Sequence, residues 1–208
     1  IALMRAQAYV HRIELFRLLH MIFGVGTIGL PQCMFNIING GLHADNGLLF
    51  QEFMIMPRAG LSVTIMLEQV MAVYQALKEI LMKKGLATTV GDEGGFAPCF
   101  QAKNLDNERQ AFDFLVAAIQ QAGLEGEGIG LCVDVASSQY YDSVNNIYDL
   151  YGQQYDSEGI IALYKDFIHD YGIISIEDGL DQGDWDGWQA MTKALGGQVQ
   201  LVGDDLFV

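Results

Sequence analysis

The sequence predicts an α/β fold built as part of a (β/α) barrel. Its second half alternates strand, helix, strand, helix and strand, and the predicted strands are apolar runs typical of buried parallel strands. Such alternation implies parallel pairing through right-handed crossovers. Each predicted strand ends in an acidic residue, namely Asp134, Glu177 or Asp204. The alternative architecture is an open α/β sheet.

The first half is predicted to contain three helices, an extended run and Gly-rich loops. An imperfect apolar stripe predicts a helix over residues 2–20, and the Asn- and Gly-rich segment 35–47 is predicted to be a loop. The run LLFQEFMIMP is predicted to be extended. Apolar residues at helical spacing predict helices over 61–84 and 106–122, each followed by a glycine suited to end it.

The second half supplies the alternating elements. The polar, Tyr-rich segment 138–157 is predicted to be a hairpin or a loop. The predicted strands lie near 129–135, 172–177 and 199–204, and the predicted helices near 158–170 and 184–195.

Composition excludes two functional classes. The formal net charge is −15, with 11 basic and 26 acidic residues, and proteins that bind nucleic acid through its phosphates need an excess of Lys and Arg. The most apolar N-terminal stretch is interrupted by Glu14, Arg17 and His20, so it predicts neither a membrane span nor a signal peptide. We therefore expect no nucleic-acid partner and no membrane span.

The cysteines predict a reducing compartment. Cys33, Cys99 and Cys132 are odd in number and lack CxxC spacing, which favours neither a disulfide framework nor a zinc site. A cytoplasmic location fits best.

The chain ends predict an incomplete domain. The first residue is Ile1, and the chain closes with the apolar Leu206, Phe207 and Val208 just after a predicted strand. Because domain termini usually lie in exposed, polar chain, we expect residues 1–208 to form a single partial domain of a longer protein.

The three acids at the strand ends predict a metal site. The carboxyl ends of parallel strands collect at one edge of a barrel, so Asp134, Glu177 and Asp204 are expected to converge there. Converging carboxylates repel one another unless a cation lies between them, and an all-oxygen ligand set suits a hard cation such as Mg²⁺. The alternative is three unrelated acids that cap the helices after each strand.

Two earlier segments add candidates for acid–base chemistry. The segment GDEGGFAP contains Glu93, and HADNGLLFQEF contains His43 and Glu52. Taken singly, these could be turn or surface residues. Two glutamates in one pocket raise each other's pKa, which can keep one carboxyl protonated as a general acid near neutral pH.

Five segments together resemble the enolases, the glycolytic 2-phosphoglycerate dehydratases. They are NIINGGLHADN, QEFMIMP, VGDEGGFAP, SIEDGL and LVGDDLFV, in that order. The resemblance extends from about residue 3 to Val208. It implies a TIM-like (β/α) barrel from the C-terminal enolase domain, lacking its N-terminal capping domain and the C-terminal part of its barrel.

The resemblance also implies a role for each candidate residue. The implied Mg²⁺ ligands are Asp134, Glu177 and Asp204. The implied catalytic residues are Glu93, which assists departure of the hydroxyl, and its partner Glu52. The implied substrate-binding residues are His43, on a loop that closes over the substrate, with Glu52, Glu177 and Asp204. The substrate would be 2-phosphoglycerate, and the full-length protein would be a homodimer.

Two departures limit what the resemblance implies. Gln139 stands where the family usually has Glu, which removes an anionic contact near Asp134. The family's base lysine has no counterpart among the lysines, which are predicted to lie on helices or in a loop: Lys78, Lys83, Lys84, Lys103, Lys165 and Lys193. We therefore expect the 208 residues alone to be inactive.

Two other functions remain open. One is a different carboxylate-metal barrel that acts on the α-proton of a carboxylate substrate. The other is a catalytically dead remnant with a binding or structural role, which the missing base favours.

Overall fold

The computed structural model describes residues 1–24, 26–102 and 104–208. Lys103, which was predicted to lie in a loop, falls outside the described residues. The chain divides into two compact units, Ile1–Pro31 and Gln32–Val208.

The described part of the first unit holds two helices, α1 (Ala2–His11) and α2 (Leu15–Phe23). The prediction of one helix over 2–20 is therefore wrong. The helix breaks at Arg12, which adopts a left-handed conformation with φ 52° and donates its N–H to the carbonyl of Tyr9. Since this capping conformation usually falls to glycine, an arginine there gives no sequence signal for the break.

In its described residues, the second unit contains eight strands, four helices and three short 3₁₀ turns. The strands are β1 (Phe35–Asn39), β2 (Glu52–Met56), β3 (Gly130–Asp134), β4 (Tyr141–Asp142), β5 (Ile147–Leu150), β6 (Gln153–Tyr155), β7 (Ile173–Glu177) and β8 (Gln200–Val202). The helices are α3 (Val63–Lys83), α4 (Asp106–Gln121), α5 (Ser157–Tyr171) and α6 (Trp185–Leu195). The 3₁₀ turns are Gly41–His43, Ser137–Tyr140 and Asp205–Phe207.

The main sheet has five strands in the order β1-β2-β3-β7-β8. The pairs β3/β7 and β7/β8 are parallel, whereas β1/β2 and β2/β3 are antiparallel. The predicted α/β class and the predicted parallel pairing of the last three strands are confirmed. The sheet is open, because in the described residues β1 and β8 form its two edges and do not pair with each other.

The two faces of the sheet have different partners. Phe53 and Ile55 of β2 are fully buried in the main core with residues of β3, β7 and helices α3 to α6. The alternate residues Met54 and Met56 lie on the other face, where they cluster with Cys132 and Met34. This follows from the two-residue period of a strand. The helices thus cover one face, as they do on the outside of a (β/α) barrel.

Local polar contacts define where the helices begin. Ser62, Asp156 and Asp184 precede α3, α5 and α6, and each side chain accepts a backbone N–H from the first turn of its helix. These bonds satisfy donors that a helix start otherwise leaves unpaired. None of the helices in the described parts of the chain combines the length and the apolar character needed to cross a membrane.

Two details differ from the sequence prediction. Residues 35–39, predicted as loop, form β1, since Ile37 and Ile38 are almost completely buried and outweigh the turn-forming asparagines beside them. Strand β8 is an edge strand and only partly buried. The predicted excursion at 138–157 is confirmed as hairpins, because β4, β5 and β6 form a small antiparallel sheet.

Candidate active site

The candidate site lies along one edge of the main sheet. Neighbouring strands pair Asn39 with Glu52, Glu52 with Asp134, Asp134 with Glu177, and Glu177 with Val202. Asp134 and Glu177 are the last residues of β3 and β7, as predicted. Glu52 is the first residue of β2, and the antiparallel direction of β2 brings its start to the edge where the parallel strands end.

Asp134 is held by two donors. Its Oδ1 accepts the backbone N–H of Ala136 at 3.0 Å, and its Oδ2 accepts Nε2 of Gln51 at 3.0 Å. Gln139 donates its Nε2 to Oε1 of Gln51 at 2.7 Å. Gln139 therefore acts on Asp134 only through Gln51, and this pair of amides fixes which end of the Gln51 carboxamide faces the acid.

The remaining predicted metal ligands lie on the next two strands. Glu177 is partly buried, whereas Asp204 is exposed and follows the end of β8 by two residues. Asp178 and Asp205 stand directly beside them in the chain. Five carboxylates, counting Asp134, thus belong to three adjacent strand ends.

The crowding of these acids shows in their pKa values. Burial, followed by the charge of Glu177, raises the pKa of Asp134 to about 8. Burial also raises the pKa of Glu177, and the charges of Asp178 and Asp204 add to the effect. Like charges in a partly desolvated edge favour protonation or a bound cation.

His43, Glu52 and Glu93 form a second group at the same edge. One ligand atom from each lies within 4.8 Å of the others. Nδ1 of His43 is 2.9 Å from Oε2 of Glu93, although the ring is not aligned for a good hydrogen bond. The side chains of Glu52 and Glu93 are close enough to interact, and a hydrogen bond between two carboxyl groups requires one proton.

The pKa shifts of this pair run in opposite directions. Burial, followed by the interaction with Glu93 and the charges of Asp134 and Glu177, raises the pKa of Glu52 to about 9. The pKa of Glu93 is lowered, first by the hydrogen bond from Glu52 and then by His43. These opposite shifts favour a proton on Glu52 and an ionised Glu93.

The loop that carries Glu93 is wrapped around Asn39. Gly95 donates its N–H to Oδ1 of Asn39 at 2.9 Å, and Asn39 donates its own N–H to the carbonyl of Phe96 at 2.9 Å. A Cβ on Gly95 would lie 2.9 Å from the backbone of Ile38 and Asn39. The last glycine of GDEGG is thus required by close approach to β1.

The segment between His43 and Glu52 is fixed from outside the site. Glu108, at the start of α4, accepts the N–H of Leu49 and the hydroxyl of Tyr151, both at 2.8 Å and both through Oε1. Asn107 and Tyr151 each donate to the carbonyl of Gly47 at 2.7 Å. Because the segment is held in its middle, both of its ends have defined positions.

The two groups differ in how closely their atoms converge. Among the described residues, His43, Glu52 and Glu93 are the one set whose possible ligand atoms all lie within 4.8 Å of one another. Asp134, Glu177 and Asp204 share the sheet edge without reaching that separation. Both carboxylate oxygens of Asp134 already accept hydrogen bonds, from Gln51 and from the backbone of Ala136.

Residues 27–208 match the family model of the enolase C-terminal TIM barrel domain. The match covers most of the chain, and it includes every candidate residue of the sheet edge. The chain belongs to this enolase family. The family assignment also settles the architecture, since the open five-stranded sheet with helices on one face is part of a TIM barrel.

The structure brings all the predicted site residues to one edge of this enolase-family sheet, and it adds three that the sequence analysis did not select. Gln51 contacts Asp134, Asn39 holds the GDEGG loop, and Asp178 lies beside Glu177. Gln51 and Asn39 belong to the QEFMIMP and NIINGG segments. The sequence therefore indicated them through those segments and not through their residue type.

Proposed function

We propose that the full-length protein dehydrates 2-phosphoglycerate to phosphoenolpyruvate with the help of Mg²⁺. The observation that carries the proposal is the close approach of Glu52, with its raised pKa, to Glu93 on the same sheet edge as Asp134 and Glu177. An acid pair beside a cluster of ionisable carboxylates suits a reaction that expels hydroxide next to a substrate carboxylate.

Asp134, Glu177 and Asp204 would hold the cation. All their donors are carboxylate oxygens, the set that Mg²⁺ prefers, and burial and mutual crowding of these acids favour a bound cation. When bound, Mg²⁺ would offset the negative charge that develops on the substrate carboxylate as the C2 proton leaves. His43 supplies a nitrogen to the other group, which makes that group the weaker candidate for a hard cation.

Glu52 and Glu93 would deliver the proton that the departing hydroxyl needs. Glu93 is the more exposed member and is assigned to meet the hydroxyl, whereas Glu52 keeps the proton available at neutral pH. His43 contacts Glu93 and is assigned to the substrate.

The base that removes the C2 proton is not assigned to these residues. The described lysines are exposed and lie on α3, α5 and α6 or directly after α3: Lys78, Lys83, Lys84, Lys165 and Lys193. A base is commonly worth about 10²- to 10⁴-fold in rate. Turnover by the 208 residues alone is therefore expected to be negligible.

The first test follows phosphoenolpyruvate formation by the full-length protein with Mg²⁺ and after treatment with EDTA. Activity that requires Mg²⁺ supports the proposal. Absence of turnover in the full-length protein, together with retained binding of Mg²⁺, would favour the catalytically dead remnant.

A second test separates proton removal from hydroxide loss. In Glu93→Gln the side chain keeps its shape but cannot pass on a proton, so exchange of the C2 hydrogen with solvent deuterium should persist while product formation collapses. Glu127→Gln, at an exposed position, is the matched control and should behave as wild type. Equal loss of exchange and product formation would give Glu93 a structural role instead.

A further inference from the structure

Asp178 is a buried acid in the middle of the candidate metal site. It follows Glu177 directly and is only 4% exposed. Its carboxylate accepts three backbone N–H groups, from Asp204 at 3.2 Å, Asp205 at 2.8 Å and Leu206 at 3.4 Å. Both carboxylate oxygens take part, so the side chain is directed at the backbone of the turn after β8.

The backbone of Asp178 joins two further segments. Its N–H donates to the carbonyl of Val202 at 3.1 Å, and its carbonyl accepts the N–H of Ser137 at 3.0 Å. The residue adopts a left-handed conformation with φ 41°, which is unfavourable for a residue with a Cβ and persists only where the surroundings impose it. One residue therefore connects the ends of β3, β7 and β8.

These contacts make the Asp178 carboxylate unavailable as a metal ligand, unlike those of its acidic neighbours in the proposed site. A metal ligand needs carboxylate lone pairs that face the cation, and those of Asp178 are engaged with N–H donors. The acid that benefits is Asp204, since its exposed carboxylate is carried by backbone that Asp178 holds.

We infer that Asp178 is a positioning residue whose carboxylate fixes the 204–206 backbone so that Asp204 can join Asp134 and Glu177 around the cation. The inference rests on the proposed Mg²⁺ site. It assigns no proton transfer or substrate contact to Asp178.

The test measures binding of Mg²⁺ alone by titration calorimetry, at a temperature where each variant retains a native near-UV circular dichroism spectrum. Asp178→Asn turns an amide N–H₂ towards backbone donors and should weaken Mg²⁺ affinity by about 10- to 100-fold, the range for partners of metal ligands. Asp186→Asn removes the same charge from an exposed site on α6 and should leave the affinity unchanged.

Two further variants distinguish positioning from a general structural role. Asp178→Gly relieves the strain of the left-handed backbone but removes the carboxylate that accepts the three N–H groups. This variant should therefore lose Mg²⁺ affinity as Asp178→Asn does. In a double-mutant cycle, adding Asp178→Asn to Asp204→Asn should cause little further loss, because both changes remove the same ligand. Additive losses would show that Asp178 acts elsewhere and would overturn the inference.

The outcomes also separate this inference from the proposed function. If the wild-type protein does not bind Mg²⁺, the proposed metal site and the positioning role of Asp178 are both refuted. If wild type binds Mg²⁺ and the Asp178 variants bind it equally well, the metal site stands and only the positioning role is refuted.

Discussion

Replacement of Glu108 tests the contacts that hold the segment between His43 and Glu52. Glu108 is completely buried, and its Oε1 accepts the N–H of Leu49 and the hydroxyl of Tyr151. Its other oxygen, Oε2, is buried without a partner. Glu108→Ala would leave two donors unsatisfied, at about 1–3 kcal/mol each. We expect a loss of about 2–6 kcal/mol in the free energy of unfolding.

Glu108→Gln, in contrast, should increase the free energy of unfolding near neutral pH. The amide oxygen can keep both hydrogen bonds, while the charge is removed from the buried site. Burial raises the pKa of Glu108 above its ordinary value, although the bonds from Leu49 and Tyr151 lower it. Because ionisation is harder in the folded state, wild type loses stability as pH rises from the unfolded pKa through the folded pKa.

The measurement is urea unfolding of both variants and wild type at several pH values. Below the unfolded pKa of Glu108, near 4.5, Gln and Glu should give similar stabilities. Above it, the stability of wild type should fall relative to Glu108→Gln until the folded pKa is passed. Glu158→Gln, at an exposed site, is the control and should show no such change. If the stabilities of wild type and Glu108→Gln run parallel across pH, Glu108 does not titrate as its burial implies.

Three other changes test the core and the site. Phe112→Ala should cost about 3–5 kcal/mol in urea unfolding, since the ring is fully buried with the rings of Phe53 and Tyr171 at 5.0 Å. Gly95→Ala should displace the Glu93 loop and lower the pKa of the coupled Glu52 in a carbon-13 NMR titration, whereas Gly197→Ala, whose Cβ meets nothing, should not. Gln139→Glu adds a negative charge near Asp134 and should strengthen Mg²⁺ binding in calorimetry; unchanged affinity would show that a charge at this position does not act on the cation.

The elements of the second half could be predicted because local pattern and tertiary packing agree there. Strands β3 and β7 are mostly buried apolar runs that helices cover on one face, and their last residues are the predicted acids. The first half was harder. Residues 35–39 combine turn-forming asparagines with two isoleucines, and burial of Ile37 and Ile38 against the core decided the conformation.

The sequence predicted which residues belong to the site but not how their protons and hydrogen bonds are arranged. The family resemblance implied that Glu52 and Glu93 form a pair, yet which of them favours the proton depends on burial and on the strand pairing of Glu52 with Asp134. Gln51 and Asp134 are 83 residues apart in the chain, so their hydrogen bond has no local signature.

Asp178 illustrates why an acidic residue after a strand cannot be interpreted from its position alone. Glu177 and Asp178 are neighbours at the same strand end, and both could have been metal ligands. The left-handed backbone of Asp178 directs its carboxylate to the N–H groups after β8, whereas Glu177 stays in register with Asp134 at the sheet edge. Two acidic residues at adjacent positions therefore take different roles in the proposed site, and the direction of the hydrogen-bond donors decides between these roles.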